Sequence, residues 1–419
     1  MTEVVHTALA AARATAVPLT GADSDYDALL ELVGDRSFVL LGESTHGTRE
    51  FYRLRADISR CLIEELGFDA VAVEGDWPDA WRVDRFVRGD GDASADDALS
   101  GFERFPRWMW RNAQARDFID WLHAHNARLP RERRAGFYGI DLYSLYQSAD
   151  DVVRYVEEAE PDFAPAARRM YECLDGVRDP QEYAFEAIQG LRPDCREHLV
   201  GMLSLLQRWD DGHAPDDRFH AARSAELVLN AEAYYRAMFS TRVNTWNLRD
   251  SHMTDTLLAL RAHLRAQGRR GRVVVWAHNS HLGDARATEM GWGGEHNVGQ
   301  LVRERVGGDD ALLVGFTAFT GCVAAAHDWG GAVERQVLRP AREDSCEHLF
   351  HRTGLDRFFL PLHTAASRPL ADVLLERAVG VVYRPETERA SHYFEASPAL
   401  QFDALFHLDE TDAVEPLDA

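Results

Sequence analysis

Six short apolar runs recur along the chain, separated by longer stretches with the spacing of amphipathic helices. The runs are residues 36–41 (RSFVLL), 69–74 (DAVAVE), 136–142 (GFYGIDL), 272–277 (RVVVWA), 311–316 (ALLVGF) and 379–383 (VGVVY). Strands that alternate with helices are typical of α/β proteins, in which crossover helices cover a parallel sheet. We therefore expect an α/β fold with a largely parallel central sheet flanked by helices.

The stretch from residue 148 to residue 271 has no strand pattern and is rich in helix-forming residues. Pro161, Pro180 and Pro193 divide it, because proline interrupts helices. We expect a helical insertion here that covers the cleft of the sheet. The α/β catalytic core would then comprise residues 1–147 and 272–419.

The charge of the chain limits its partners. With 69 acidic and 46 basic residues, the formal net charge is -23. Such a surface repels nucleic-acid phosphates and anionic lipid, so we expect neither as a partner. Every basic residue is arginine. Schiff-base chemistry and lysine-dependent phosphate loops are therefore excluded.

Cysteine usage and hydropathy favour a cytoplasmic protein. The five cysteines are scattered and none lies in a C-x-x-C pair, so their spacing predicts neither a disulfide framework nor a cysteine zinc site. No apolar run is long enough to span a bilayer, and the first twenty residues lack the basic start of an export signal.

Ionisable side chains follow each of the first four predicted strands. They are Glu43 and His46, then Glu74 and Asp76, then Asp141, and finally His278 and His281. A single carboxylate at a strand end is usually a turn former or helix cap. Four strands with the same feature favour a functional cleft, because ligands bind at the carboxyl ends of parallel strands.

The segment 42–47 (GESTHG) allows three interpretations. Ser44 as a nucleophile would need the G-x-S-x-G elbow, and this segment is one residue too long for it. A phosphate loop would need more glycine and a lysine. The remaining interpretation is that His46 is a general base for water, with Glu43 or Glu74 orienting its imidazole.

A metal site is the main alternative. His278 and His281, together with His46, Glu43 and Glu74, have side chains that bind zinc or iron. The H-x-x-H spacing after a strand does not by itself place both rings on one side, and there is no H-E-x-x-H motif. We expect no cofactor, with a divalent metal such as zinc as the alternative.

Two arginines and a tryptophan complete the candidate set. Arg55 lies on the buried stripe of a predicted helix, where it would pair with Glu43 and Glu74 or extend to solvent. Arg249 would face the cleft or form a surface pair with Asp250. Trp77, like other tryptophans nearby, would pack in the core or form an apolar wall for a bulky ligand.

The sequence resembles the erythromycin esterase family. The resemblance rests on Arg55 and on residues 41–47 (LGESTHG), 71–76 (VAVEGD), 139–144 (GIDLYS), 247–250 (NLRD), 276–281 (WAHNSH), 383–388 (YRPETE) and 391–394 (SHYF). These motifs occur in order over most of the chain. Residues 291–304 and the tail from Tyr383 resemble the broad branch of the family rather than its dedicated resistance enzymes.

The resemblance implies an α/β core with a helical part above a cleft, and hydrolysis of the macrolactone ester of 14-membered macrolides in the members linked to antibiotic resistance. It also implies functional roles for His46, Glu43, Glu74, Arg55 and His278, without a required metal. We expect a hydrolase of a small-molecule ester or lactone in which His46 activates water, while Arg55 and His278 stabilise the oxyanion. Asp141, His281, Arg249 and Trp77 are the expected substrate-binding residues. A metallohydrolase and a non-catalytic binding protein for a bulky metabolite are the alternatives.

Overall fold

The computed structural model describes residues 3–209, 212, 214–240, 243–362 and 364–418. Its strands are β1 (Val17–Pro18), β2 (Phe38–Leu41), β3 (Ala70–Asp76), β4 (Gly136–Asp141), β5 (Val273–Trp276), β6 (Ala311–Ala326), β7 (Val333–Leu338), β8 (Arg357–Pro361), β9 (Leu374–Arg377), β10 (Tyr393–Ala396) and β11 (Ala404–Thr411). Nine of these strands form one sheet, in the order β1-β8-β11-β6-β2-β5-β3-β4, with β7 paired to β6. The five pairs from β11 to β4 are parallel, which confirms the predicted α/β fold.

Helices cover both faces of this sheet. They are α1 (Glu3–Thr15), α2 (Asp27–Val33), α3 (Arg49–Glu64), α4 (Trp77–Val87), α5 (Ala95–Leu99), α6 (Ala113–Asn126), α7 (Leu145–Ala159), α8 (Ala164–Tyr171), α9 (Pro180–Ile188), α10 (Arg196–Arg208), α11 (Pro215–Ala237), α12 (Thr245–Ala266), α13 (Asn279–Leu282), α14 (Glu289–Trp292), α15 (Val298–Val306), α16 (Cys346–His351), α17 (Glu388–Ser391) and α18 (Pro398–Gln401). Short 3₁₀ helices lie at Asp23–Tyr26, Arg107–Met109, Arg131–Arg133, Glu172–Leu174, Ala285–Ala287, Gly308–Asp310 and Ala365–Ala371. No helix in the described part of the chain is both long and apolar enough to cross a bilayer.

The central strands are buried on both sides, as expected for a sheet between two layers of helices. Side chains alternate between the faces with a period of two. In β2, Phe38 and Leu40 join one hydrophobic cluster, whereas Val39 and Leu41 join the other. Burial of each such aliphatic or aromatic side chain stabilises the folded state by about 1.5–3 kcal/mol relative to an exposed side chain. This burial fixes the strand ends from which the cleft is built.

The first five predicted strands are present, and the sixth is wrong. Residues 379–383 make only isolated bridges, at Val379 with Thr45 and at Val382 with Ala326. The segment does not pair with one strand along its length. Its Val379 N–H donates to the Ser44 carbonyl in the loop after β2, and its Tyr383 N–H donates to the Ala326 carbonyl at the end of β6. Its apolar character reflects burial of Val379 and Tyr383 without regular pairing.

The described residues between β4 and β5 form helices and connecting turns, from α7 to α12. The helical character predicted for residues 148–271 is therefore observed, while their division from the core as a domain stays a prediction. The absence of a disulfide was predicted wrongly, because Cys173 and Cys195 are bonded, with their Cα atoms 5.7 Å apart. Cys173 is the middle residue of a 3₁₀ helix and Cys195 directly precedes α10, and spacing along the chain does not reveal such tertiary proximity.

Candidate active site

A cavity of about 330 Å³ opens at the carboxyl ends of the central parallel strands. The predicted residues His46, Glu74, Asp141, Arg249, His278 and His281 all line it. Glu74 and Asp141 belong to the last residues of β3 and β4, and His278 follows β5. The convergence expected from parallel strand ends is therefore present.

The loop after β2 is held in place by close backbone packing at two glycines. A Cβ atom on Gly42 would lie 2.1 Å from Oδ1 of Asn279, and one on Gly47 would lie 1.8 Å from the Ala324 carbonyl oxygen. Only glycine fits these approaches. The Asn279 N–H donates to the Glu43 carbonyl oxygen at 2.8 Å, and the loop therefore presents Glu43 and His46 in a fixed arrangement.

Glu43 and His46 form a buried hydrogen-bonded pair. Nδ1 of His46 lies 2.8 Å from Oε1 of Glu43, and the Glu43 side chain is fully buried. A carboxylate can only accept, so Nδ1 carries the proton and Nε2 keeps its lone pair when the ring is neutral. Because His46 lines the cavity, this arrangement is that of a general base.

The electrostatic surroundings of His46 favour its protonated form. Burial alone lowers the pKa of the imidazole, but the charges of Glu74 and Glu43 and the hydrogen bond to Glu43 act in the opposite direction. The net effect raises the pKa above its ordinary value of 6.5. A base with a raised pKa accepts a proton from water more readily.

Arg55 lies behind Glu43, away from the cavity surface. Its Nη2 is 2.6 Å from Oε2 of Glu43, and its guanidinium lies between the rings of Tyr52 and Trp276, with centroid distances of 4.6 and 5.1 Å. The predicted pairing with Glu43 is confirmed, and the predicted pairing with Glu74 is wrong. Arg55 is fully buried and is outside the described cavity lining, so its predicted contact with an oxyanion is corrected to a position behind Glu43.

Arg249, the fifth residue of α12, takes the place expected for Arg55 beside Glu74. Its Nη2 lies 2.7 Å from both Oε1 of Glu74 and Oδ2 of Asp141. The alternative of a surface pair with Asp250 is thereby excluded, because Asp250 instead binds Nδ1 of His281 at 2.9 Å. One helical residue thus joins the ends of β3 and β4.

These contacts keep Glu74 ionised. Burial raises the pKa of its carboxyl group, but the charges of His281, Arg249 and His46, with the N–H of His278, outweigh burial and hold the pKa well below its usual range. Arg249 likewise lowers the pKa of Asp141 against the effect of burial. Both carboxylates therefore carry negative charge in the cleft, and the charge of Glu74 acts on His46.

His278 is a neutral, buried imidazole. Burial, followed by the charge of His46, lowers its pKa to about 3. The Ser280 N–H donates to its Nδ1 at 3.2 Å, which places the ring proton on Nε2. Nε2 is buried and meets no acceptor of a described residue within hydrogen-bond geometry, while the nearby Ser44 backbone raises the pKa of the ring and so partly opposes burial. The ring lies 5.0 Å from that of His46, centroid to centroid.

Trp77 does not have the predicted position. It is 2% exposed, is outside the described cavity lining, and stacks on Tyr138 and His220 in the core. The predicted contact with substrate is therefore corrected to core packing. The aromatic wall consists instead of Phe102, Trp110, Tyr143, Trp246 and Trp329.

Sequence reasoning also missed two polar wall residues, Asp79 and Arg104. Asp79 lies three residues after Asp76, in the first turn of α4, so helical spacing from the strand-end carboxylate could have found it. Arg104 lies in a loop, and no local pattern marks it. Its Nε donates to Oδ2 of Asp76 at 2.8 Å.

Several side-chain atoms that could bind a metal are engaged within the protein. Nδ1 of His46 and Nδ1 of His281 bind carboxylates, and both oxygens of Glu74 accept hydrogen bonds. Among the described residues, no group of three or more histidine, cysteine, aspartate or glutamate side chains is arranged to hold a metal ion. The absence of a cofactor stays a prediction.

Fold and site together define an α/β protein with a carboxylate–histidine cleft at the ends of a parallel sheet. A sequence profile of the family described as Erythromycin esterase matches residues 63–411, and the chain belongs to that family. The matched range begins after Glu43, His46 and Arg55, so these three residues do not contribute to the family match.

Relatives extend over nearly the whole chain. The "Erythromycin esterase type II" of Escherichia coli is 22% identical in an alignment of 421 positions that covers 93% of each protein. A crystal structure of a succinoglycan biosynthesis protein superposes with a TM-score of 0.79 at 20% identity, covering 99% of both chains. The crystal structure of a Bacillus cereus protein superposes with a TM-score of 0.80 at 18% identity, covering 98% of this chain and 99% of the other.

A mutant of the erythromycin esterase EreC in its open conformation gives a TM-score of 0.67 at 17% identity, covering 94% of this chain and 95% of the other. At this level of identity the structural relatives establish the fold.

Proposed function

We propose that the chain hydrolyses a carboxylic ester or lactone, with His46 as the general base that activates water. The observation that carries the proposal is the 2.8 Å hydrogen bond between Nδ1 of His46 and buried Glu43, in a ring that lines the cavity. Membership of the erythromycin esterase family supports ester chemistry.

The reaction follows from the atoms that face the cavity. Nε2 of His46 takes a proton from water as the water oxygen bonds to the ester carbonyl carbon, and the carbonyl oxygen becomes an oxyanion. Nε2–H of neutral His278 donates to that oxyanion, a contact that typically contributes about 3–4 kcal/mol. The protonated His46 then transfers its proton to the leaving alkoxide as the ester C–O bond breaks, which regenerates the base.

Arg55 and Glu74 act indirectly in this reaction. Arg55 holds Oε2 of Glu43 and so fixes the carboxylate that orients His46. The charge of Glu74 stabilises the protonated ring of His46. Oε2 of Glu74 also accepts a hydrogen bond from the backbone N–H of His278 at 2.9 Å, which helps to position the His278 ring as oxyanion donor. Both are positioning residues.

The aromatic wall suits a bulky substrate. A macrolactone is one candidate, because the Escherichia coli relative is named as an erythromycin esterase. A cytoplasmic location stays a prediction, and the Cys173–Cys195 disulfide is more typical of oxidising compartments. The lack of nucleic-acid and membrane partners also stays a prediction.

The test is a hydrolysis screen of aryl esters, simple lactones and 14-membered macrolides, with the wild type and His46→Ala. A matched control is His198→Ala, which removes an exposed histidine of α10. We expect His46→Ala to lose about 100- to 10,000-fold in kcat/KM with a native circular dichroism spectrum, and the control to match the wild type.

Near-native turnover by His46→Ala would contradict the proposed mechanism. Loss of wild-type activity on chelation, restored by stoichiometric zinc, would replace it with metal-dependent hydrolysis. Tight binding of a macrolide without turnover of any compound would replace it with the role of a binding protein.

A further inference from the structure

Two buried carboxyl groups lie next to Asn279, outside the described cavity lining. Glu347 belongs to the first turn of α16, and Glu376 belongs to β9. The bridge between Ser345 and Leu375 joins the start of this helix to this strand. Both glutamates are fully buried, and such groups are stable only when their oxygens and charges are compensated.

Each of the two carboxyl groups has one oxygen with a partner and one without. Nδ2 of Asn279 donates to Oε1 of Glu376 at 3.0 Å, and the N–H of Arg377 donates to Oε1 of Glu347 at 2.9 Å. Oε2 of both glutamates is inaccessible to solvent and makes no hydrogen bond to a described residue. No water molecule or ion fits next to such an atom, whereas a proton needs no cavity.

The nearest cation by sequence, Arg377, does not neutralise the pair. It follows Glu376 directly, so its side chain points to the other face of β9. Its Nε lies 3.1 Å from Oε1 of Glu388, and its Nη atoms donate to the backbone carbonyls of Ala318, Phe319 and Arg339. The two carboxyl groups therefore face each other's charge without a described counter-ion.

The surrounding groups respond to this charge. Burial, followed by the charge of Glu347, raises the pKa of Glu376 to about 8, against the effect of the neighbouring amides. Burial, followed by the charges of both glutamates, raises the pKa of the Cys346 thiol well above its usual range. The charged and titratable side chains around the pair are Cys346 from α16, Arg377 from β9, Glu388 from α17, Tyr393 from β10 and His407 from β11, and α13 and α18 contribute the neutral amides of Asn279 and Gln401.

Asn279 connects Glu376 to the loop after β2. Its Nδ2 donates to the Phe316 carbonyl at 2.9 Å as well as to Glu376, and its Oδ1 accepts from the Phe316 N–H at 3.2 Å. Its backbone N–H donates to the Glu43 carbonyl, and its Oδ1 occupies the space that a side chain at Gly42 would need. The acceptor on Glu376 therefore helps to fix the residue that holds this loop.

We propose that Glu376 and Glu347 share one proton between their Oε2 atoms. The proton completes both oxygens without a ligand and relieves the repulsion between two adjacent carboxylates. Neutral Glu376 is then a positioning residue, because it holds Asn279, and Asn279 holds the loop that carries His46. The shared proton stands on the buried geometry, whereas its effect on turnover rests on the proposed function.

Two variants of Glu376 separate its charge from its hydrogen bonds. Glu376→Gln has no charge to titrate, accepts from Asn279 and donates to Glu347 as the neutral acid does. Glu376→Met has a similar length but neither accepts nor donates. Glu395→Gln, which changes an exposed carboxylate in the two-stranded sheet of β9 and β10, is the control. Circular dichroism verifies that each variant is folded.

Infrared and unfolding measurements test the proton. At about pH 6, the C=O band of a neutral carboxyl group should be present in the difference spectrum of the wild type minus Glu376→Gln and absent from that of the wild type minus the control. Because its pKa is raised, the proton on Glu376 stabilises the fold fully below the ordinary value of 4.5, and this is lost as pH rises through about 8. The unfolding temperature of the wild type relative to Glu376→Gln should therefore fall from about pH 5 to about pH 9. A missing band or a constant temperature difference would overturn the shared proton, whether or not any ester is hydrolysed.

Turnover and the titration of His46 test the positioning role. Glu376→Met should lower kcat about tenfold or more with KM within about twofold, because small displacements of a catalytic group have large effects on rate. It should also shift the pKa of His46 measured by NMR, while Glu376→Gln keeps both values close to those of the wild type. If Glu376→Met leaves the His46 titration unchanged, or Glu376→Gln alters it as much, the positioning role is wrong. The NMR result decides this even if no ester is hydrolysed.

Discussion

Oε1 of Glu43 accepts a hydrogen bond from Nδ1 of His46 at 2.8 Å, in a loop whose path allows no side chain at Gly42 or Gly47. The second oxygen of the same carboxylate lies 2.6 Å from Nη2 of Arg55. A buried cation therefore fixes the carboxylate, and the carboxylate fixes the tautomer of the imidazole. Each link in this series can be removed separately.

Glu43→Gln removes the negative charge next to His46 and keeps an oxygen that can accept from Nδ1. Because Glu43 raises the pKa of His46, we expect the acid limb of the kcat/KM–pH profile to move to lower pH, with a loss of about 100-fold in kcat. Glu50→Gln, in the half-buried first turn of α3 and outside the described cavity lining, is the control. An unchanged acid limb would show that Glu43 does not set the basicity of His46.

The Glu43–Arg55 ion pair should show strong coupling in stability. Arg55→Met leaves a buried carboxylate without its cation, and loss of one partner of such a pair costs about 3–5 kcal/mol. The double variant Glu43→Gln, Arg55→Met removes both charges and should recover most of that loss. Urea unfolding of the wild type, both single variants and the double variant measures the coupling. Additive losses in the double variant would mean that the pair is not coupled.

The sequence predicted the sheet and the strand-end residues because both depend on local patterns. Alternation of side chains fixes the faces of β2 and β3, and parallel strands bring their carboxyl ends together. Glu43, His46 and Glu74 were therefore identifiable from one stretch of chain each. The partners of buried charges were harder to predict, because Arg249 reaches Glu74 from a helix 175 residues away in sequence.

The error at Trp77 has a geometric cause. Asp76, which directly precedes α4, and Asp79, the third residue of α4, both line the cavity, because positions three apart at a helix start lie on the same side. Trp77 follows Asp76 by one residue, which turns its side chain by about 100° to the core. A tryptophan next to a functional residue along a helix therefore points elsewhere, and only the helix orientation in the fold decides where.

Activity and stability should respond to pH in opposite directions through the titration of His46. Its folded pKa is raised, so its protonation stabilises the fold fully below about 6.5, the ordinary pKa, and this stabilisation is lost as pH rises through the folded value. Activity needs the neutral ring and appears over the same interval. Profiles of kcat/KM and of the unfolding free-energy difference between the wild type and His46→Asn, from about pH 6 to about pH 9, test this. Parallel trends would contradict it.

The Cys173–Cys195 disulfide should stabilise the helical segment without a role in turnover. It closes a loop of 22 residues, for which the chain-entropy estimate is about 3 kcal/mol. We expect Cys173→Ser to lower the unfolding temperature and to make α9 and α10 exchange amide hydrogens faster, with kcat at low temperature unchanged. Cys322→Ser, a free buried cysteine elsewhere, is the control. Equal exchange in the wild type and Cys173→Ser would refute the structural role.

Arg249→Met should alter the chemistry of the cleft through two carboxylates. Arg249 lowers the pKa values of Glu74 and Asp141, and its positive charge also lowers that of His46. Without Arg249, the acid limb of the kcat/KM–pH profile should move to higher pH, and kcat should fall at least about tenfold as the ends of β3 and β4 lose their link. Arg261→Met breaks a comparable ion pair outside the described cavity lining and should leave the limb in place. A shift to lower pH in Arg249→Met would mean that Arg249 acts on substrate rather than on the titration of His46.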